Sequence, residues 1–397
     1  MAFKDITKVL YDGKIKLDYL DKSHRYYIRH RENWDLPETD KKAWGKATRP
    51  TGVTTILGDT LEKKGLMTWP MGMALSELFG FYDFTNEKGE RMTGFSAKNG
   101  GGTLWGKDGL APLSKEEALP FILSASKNWQ RKQKKGADIG SVVHDAIEHY
   151  IKGEEFDIAE AYNWAIKDAF PIPKPGEDDP DEADRNLAFQ EAPADIEMAT
   201  KAFSRFKIWW LETKPVLYGA EEILYSMEYD YPGTYDADLG IPVEHHPIYK
   251  DKPLYETIIT KMRQGKGIRI TQTETTDKLK THVRCTTDWK TSNASVNTDA
   301  AAPEGVYYSY FIQDAFYELI RREMGHEPAD DLLVVSARKD GEFSLVYASE
   351  CGLTVDDCLK WAKAVILCFQ LMKKTKKALL AHAELPQGKN NETKEAF

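Results

Sequence analysis

The stretch Thr281 to Ser292, Thr-His-Val-Arg-Cys-Thr-Thr-Asp-Trp-Lys-Thr-Ser, sets the tightest condition on what this chain can fold into. Thr, Val and Trp favour a pleated surface, and no Gly or Pro interrupts the run, so its first half is expected to be a strand. Side chains two apart on a strand point the same way. Asp288 and Lys290 therefore project together, with Trp289 on the opposite face. A carboxylate beside an ammonium can hold a hard cation and position a water next to it. The same pair on an edge strand would be an ordinary surface ion pair, so the choice depends on what the rest of the chain supplies.

Upstream, residues 12–30 alternate apolar and polar on both sides of Asp21-Lys22-Ser23-His24, the pattern of a hairpin. Val53 to Leu57 could open a helix or close a short strand. Residues 61–80 and 115–135 are expected to be helical, with a Gly-rich loop over 84–113. That loop holds Gly101-Gly102-Thr103-Leu104-Trp105-Gly106-Lys107, which follows a phosphate-binding loop for seven positions. The eighth is Asp108 instead of Ser or Thr, and no buried strand precedes it, so no nucleotide is expected. From Ala137 to Lys152, the residues Ile139, Val142, Val143, Ala146, Ile147, Tyr150 and Ile151 form one apolar stripe at helical period. His144 borders that stripe, with Gly140 one turn earlier.

Residues 174–194 are dense in Asp, Glu and Pro and are expected to be a disordered acidic loop. A helix over 196–214 should follow, then strands over 221–229 and 232–238. Residues 241–282 suggest an inserted strand-rich arm. A helix over 306–324, strands over 332–337 and 343–348, and a helix over 355–382 complete the pattern. This gives a mixed α/β chain with a central mixed sheet flanked by helices. Three parts are expected: an N-terminal segment over 1–135, a core over 136–382 that includes the acidic stretch 174–197 and the arm, and a polar tail over 383–397.

Composition excludes several classes. No apolar run is long enough to cross a bilayer. The first residues lack an apolar signal core. Four cysteines are too few for a disulfide framework, and a reducing cytoplasm is expected. Cys358, Trp361, Val365 and Cys368 recur at helical spacing, which places Cys358 and Cys368 in the core. Gaps of six and nine residues do not suit an iron–sulfur cluster. His245-His246 lacks a second close ligand pair for zinc. The net charge of -9 is concentrated between Lys174 and Glu197, which alone sum to -7. Basic clusters stand out elsewhere: Lys127 to Lys135, including Lys132, Lys134 and Lys135; Lys261 to Arg269; and Lys373 to Lys377.

Two carboxylates from adjacent strands, Asp236 and Asp288, with the imidazole of His144, would make a mixed oxygen and nitrogen site suited to magnesium or manganese. Gln313 and Tyr317 stand at i and i+4 on one helix face. The ordered set Gly140-x-x-x-His144, Gly233-Thr234-Tyr235-Asp236, Asp288-Trp289-Lys290 and Gln313-x-x-x-Tyr317 resembles the PD-(D/E)XK nuclease superfamily, in its RecB-type and phage-type exonuclease branch. Val53 to Leu57, Trp69 and Ala74 resemble the N-terminal segment of that branch. The resemblance implies a restriction-endonuclease-like core with insertions. It implies that His144, Asp236, Asp288 and the Trp289 carbonyl bind metal and that Lys290 acts on the attacking water. Gln313 and Tyr317 would support the site and touch DNA, and Glu222 is a candidate extra acid.

One departure stands out. Asp236 and Asp288 are 52 positions apart, so the site requires an insertion that leaves their strands adjacent. The expected activity is metal-dependent exonucleolysis of DNA. The alternatives are a catalytically silent DNA-binding or scaffolding module of the same fold, and a restriction-type endonuclease. No helicase motif is present, so an unwinding, recombinase or annealing partner would be a separate chain. Oligomeric state stays open.

Overall fold

The computed structural model describes residues 5–20, 23–61, 83–85, 91–93, 139–173, 179, 182–264, 267–291 and 308–383. Residues 1–61 and 143–397 form one compact unit, and residues 62–142 form another.

The larger unit opens with β1 (Ile6–Leu10), β2 (Ile15–Leu20) and β3 (Arg25–His30), an antiparallel sheet in that order. The expected hairpin is β2 and β3, paired from Ile15 with His30 to Leu20 with Arg25, and β1 adds a third strand. Its buried face, including Ile15, Leu17 and Ile28, packs with Ile223 and Tyr225 from far along the chain. This contact is why the first 61 residues group with the C-terminal part and not with the segment that follows them. The Val53 stretch is helical: α1 (Val53–Thr60) buries Val53, Ile56 and Leu57, which share a helix face.

In the second unit, β4 (Asp83–Thr85) pairs antiparallel with β5 (Arg91–Thr93). The loop expected over 84–113 therefore holds paired strands, each too short for an alternation signal to register. The helices expected over 62–80 and 115–135, the Gly101 loop and the Lys127 to Lys135 cluster lie outside the described residues, as does the tail beyond 383.

Residues 139–151 form α2, followed by α3 (Ile158–Ala169) and α4 (Glu182–Thr213). α4 corrects the expectation of a disordered acidic loop, because its first half spans residues 182–194 with Pro193 inside it. Proline removes one helical N–H and crowds the preceding turn, but it does not end a helix that is held by packing. The packing stripe runs through it: Arg185, Ala192, Asp195, Ala199, Ala202 and Phe206 are all buried. The acids also have structural roles. Asp195 accepts a 2.8 Å bond from the Tyr162 hydroxyl, Asp179 pairs with Arg185, and Glu182 and Asp184 lie in the first turn, where a helix favours negative charge.

The central sheet is built from β6 (Val216–Ser226), β7 (Tyr231–Pro242), β10 (His282–Lys290), β11 (Asp331–Ala337) and β12 (Phe343–Tyr347), in the order β12-β11-β10-β7-β6. β10 and β11 are parallel and the other neighbours antiparallel, so the sheet is mixed, as expected. The parallel pair is joined through α5 (Tyr308–Glu323), as parallel strands require a crossover. β11 is buried along its whole length, the pattern of a strand covered on both faces. Between β7 and β10, the strands β8 (Tyr255–Gln264) and β9 (Gly267–Leu279) form a separate antiparallel ribbon.

The chain's last described helix is α6 (Val355–Ala383). α1, α5 and α6 share one apolar cluster with Leu332 and Val334 of β11. α6 outruns this core: Cys358 is buried, but Cys368 is exposed, because Ile366 is the last buried residue of the helix and past it Phe369 packs only partly against the cluster. The expectation that Cys368 is a core residue is thereby overturned.

Candidate functional site

β7 and β10 are direct antiparallel neighbours, with Ala237 opposite Thr287. The next step along that ladder brings Asp236 opposite Asp288, and the two carboxyl groups are close enough to act on each other. The residues between Pro242 and His282, which include the β8–β9 ribbon, loop out and leave the strand pair intact. Trp289 turns away from this pair and packs edge-on against Phe206 of α4, with ring centroids 5.3 Å apart. Its backbone N–H stays with the site and donates to Asp236 Oδ2 at 2.6 Å.

The other candidates converge on the same two strands. His144, on α2, places Nδ1 3.8 Å from Asp236 Oδ2. Lys290 forms an ion pair with Asp288, and its Nζ lies 4.9 Å from the centre of the Tyr310 ring. Gln313 Nε2 donates to Asp288 Oδ1 at 3.1 Å and to the Tyr317 hydroxyl oxygen at 3.0 Å. Gly233 explains how Tyr317 comes so close. A Cβ at that position would lie 2.7 Å from Tyr317 Cε1 and 3.0 Å from Val53 Cγ2.

Two candidates fall elsewhere. Glu222 accepts from the Tyr235 hydroxyl at 2.8 Å and does not join the site acids. Its neighbour Glu221 takes that position. The β6–β7 register pairs Ala220 with Ala237 and Glu222 with Tyr235, which sets Glu221 opposite Asp236. Glu221 has a positive φ of 50°, a conformation uncommon outside glycine, so the alternation along β6 is disturbed there. Glu148, one turn after His144 on α2, also acts on this group, although it pairs with Lys152. The i, i+4 spacing from His144 was a usable sequence signal for Glu148; for Glu221 against Glu222 there was none. Lys132, Lys134 and Lys135 lie outside the described residues.

Buried negative charge dominates the site. Burial raises Asp288 above the usual carboxylate range and Asp236 adds to the rise, against the opposing effect of Lys290. Asp236 is raised by burial, with Lys290 and the Trp289 N–H opposing. Glu221 is pushed well up by burial and then by Asp236 and Glu148. Lys290 is depressed by burial, but Asp288 and Asp236 more than reverse this and hold it protonated. Burial and then the Lys290 ammonium push His144 down to about 4, so its imidazole is neutral at pH 7 and offers a lone pair.

Behind Asp288 lies Asp314 on α5, which the sequence reading did not single out. It is fully buried, and neither carboxyl oxygen has a hydrogen-bond partner among the described residues. Burial and then Asp288 raise it strongly. Further along α5, Arg321 pairs with Asp238 and with Glu318 (2.9 Å), and donates to Thr286 Oγ1 at 2.7 Å. This buried network fixes α5 to β7 and β10, and so sets the position of Gln313 and Tyr317.

The donor set fits a hard divalent cation by chemistry and charge. Asp236, Asp288 and Glu221 oppose one ammonium, an excess of negative charge that a cation would offset. It is not a finished cage: among the described residues, no three His, Cys, Asp or Glu side chains are already gathered for a metal ion.

No family model and no curated protein matches the sequence. Among solved structures, a protein from Eubacterium rectale provisionally named an exonuclease aligns over 55% of this chain and 68% of its own, at 13% identity and a TM-score of 0.25. A likeness at that TM-score carries no argument about this chain. No described helix is long and apolar enough to cross a membrane.

Proposed function

We propose that this chain is a metal-dependent nuclease that hydrolyses DNA from its ends. The observation that carries the reading is the convergence of His144, Asp236 and the Asp288/Lys290 pair, from three separated stretches of sequence, beside the middle of β7 and the end of β10. A surface ion pair would not need Asp288 buried, nor two more carboxylates packed against it.

In this reading His144, Asp236, Asp288 and the Trp289 carbonyl would hold magnesium or manganese. Such an ion supplies Lewis-acid polarisation of a phosphoryl oxygen and lowers the pKa of a bound water. The chain's own groups do the rest. Lys290 stays protonated, so its role is to orient the water through Nζ and to stabilise negative charge developing on the phosphate. It is not the proton acceptor. Gln313 holds Asp288 Oδ1, which leaves the other carboxylate oxygen for Lys290 or the cation. Glu221, on its kinked strand, adds negative charge beside Asp236.

The deciding experiment incubates linear and covalently closed circular duplex of one sequence with the protein in magnesium, manganese or EDTA. Linear DNA should shorten from its termini, closed circles should survive, and EDTA should stop the reaction. Full activity in EDTA refutes the site; discrete fragments from closed circles support the endonuclease alternative. The Lys290–Asp288 pair favours a second reading, a silent DNA-binding module in which the ammonium permanently fills the cation position. In that case neither metal would bind, and DNA would be held without being cut.

A further inference from the structure

The β8–β9 ribbon is the largest feature the site does not use. It leaves the sheet at Pro242 and returns at His282, which are paired with each other at the far end of β7 and β10 from Asp236 and Asp288. Six residues of strand separate that root from each carboxylate, about 20 Å at a strand's rise per residue. β8 has ten residues and so extends about 33 Å beyond the root region.

The root is clamped. Val243 N–H donates to the Thr281 carbonyl at 3.0 Å, closing the two strands on each other. Lys280 Nζ reaches both carboxylate oxygens of Asp330, at 2.6 and 2.8 Å. His246 is fully buried; its Nε2 lies 3.2 Å from Asp331 Oδ2, and its Nδ1 accepts from the Ile248 and Tyr249 N–H groups. A ribbon with no purpose would not need this anchorage.

Beyond the root, an isolated two-stranded ribbon is marginal in water. This one leaves Tyr255, Ile258 and Leu279 exposed. Its distal sequence, Ile259 to Ile270, contains Lys261, Arg263, Lys266 and Arg269 and no acid, in a chain of net charge -9. Lys261 and Arg263 stand on β8 and Arg269 on β9, where it pairs with Met262. A strand pair whose sequence carries like charges without a compensating acid repels a second copy of itself and attracts a polyanion.

We propose that the β8–β9 ribbon grips the phosphate backbone of duplex DNA outside the site, along a stretch comparable to one helical turn. This rests on the nuclease reading, and its test separates the two. The quadruple variant Lys261→Gln/Arg263→Gln/Lys266→Gln/Arg269→Gln is made in the full chain, both alone and with Asp288→Asn to prevent cutting. Binding to a 30-base-pair duplex is measured by fluorescence anisotropy across a salt series. The slope of log affinity against log salt should become shallower by about 2–4, since each lost phosphate contact removes about 0.9. Affinity at low salt should fall on the order of tenfold or more. Lys261→Arg/Lys266→Arg, which keeps the charge, should bind as the wild type does, and all variants should melt together.

An unchanged slope and affinity, with wild-type cutting intact, overturns the ribbon proposal and leaves the nuclease reading standing. A ribbon-dependent slope in a protein that never cuts DNA supports the ribbon and sinks the nuclease reading. A drop in sedimenting mass for the quadruple variant, with DNA affinity unchanged, assigns the ribbon to contacts between chains and overturns the proposal. If the wild type neither binds nor cuts DNA, both readings fall.

Discussion

Gly233→Ala gives a direct test of how the site is held. The added methyl would sit 2.7 and 2.9 Å from two Tyr317 ring carbons and 3.0 Å from Val53 Cγ2. Real Cβ contacts are not that short, so a rigid ring and α1 must move by several tenths of an ångström. Overpacking of this kind costs about 1–3 kcal/mol. In a chain of this size that lowers the melting temperature by roughly 2–4 °C per kcal/mol. The consequence for activity runs through one chain of contacts: Tyr317 accepts from Gln313, and Gln313 holds Asp288 Oδ1. A displaced ring loosens that hold, so cleavage should fall further than stability alone explains. The assay combines calorimetry with end-labelled DNA digestion well below the melting transition. Gly233→Ala/Tyr317→Ala removes the obstructing ring, so the double variant should be less destabilised than the two single changes summed. Additive losses, or a Gly233→Ala protein that melts and cuts as the wild type does, would refute the argument.

Three further outcomes are expected. Lys290→Ala should keep the fold yet lose cleavage by about two to four orders of magnitude, and Lys290→Arg should rescue it poorly; a loss under tenfold makes Lys290 an ion-pair partner only. Asp314→Asn should gain stability relative to the wild type as pH rises from about 4 towards 7. The folded state keeps the Asp314 proton while the unfolded chain releases it above the ordinary value of 3.8, a slope of at most about 1.4 kcal/mol per pH unit; parallel urea-unfolding profiles for the two proteins would contradict this. Glu318→Ala strands the fully buried Arg321 beside a lost partner and should destabilise by about 3–5 kcal/mol in urea unfolding, against which a loss below 1 kcal/mol would count decisively.

The readable parts of this chain were those where pattern and chemistry coincide. β10 is a run of pleat-favouring residues, unbroken by Gly or Pro, up to Asp288-Trp289-Lys290, and α5 carries Gln313 and Tyr317 on one face, so strand, helix and site candidates could all be named from sequence. Elsewhere, local chemistry misled. Pro193 and nearby acids suggested disorder, yet tertiary burial carries α4 through them. Glu221 and Glu222 are alike in sequence, and only the β6–β7 register decides which of them stands opposite Asp236. Asp314 resembles any helical acid, because a buried carboxyl without partners leaves no trace in composition. Cys368 shared a helical spacing with Cys358 but stands past the last buried residue of α6, and spacing cannot show where a partner surface ends.

The Tyr11 hydroxyl lies 2.6 Å from the Tyr225 carbonyl oxygen and 3.0 Å from Glu323 Oε1, a contact that spans 312 residues of sequence. Glu323 also accepts from Ser226 Oγ and the Met227 N–H, so it ties the first sheet to the β6–β7 turn. On a ribosome adding about 5–20 residues per second, roughly 15–60 s pass between the appearance of Tyr11 and that of Glu323. For roughly the first 11–43 s of that interval, until residue 225 is made, Ile15, Leu17 and Ile28 have no Ile223 or Tyr225 to cover them. The first sheet is therefore made long before it can be seated, and newly synthesised chains must shelter a sticky hairpin until the strands it packs against have been translated.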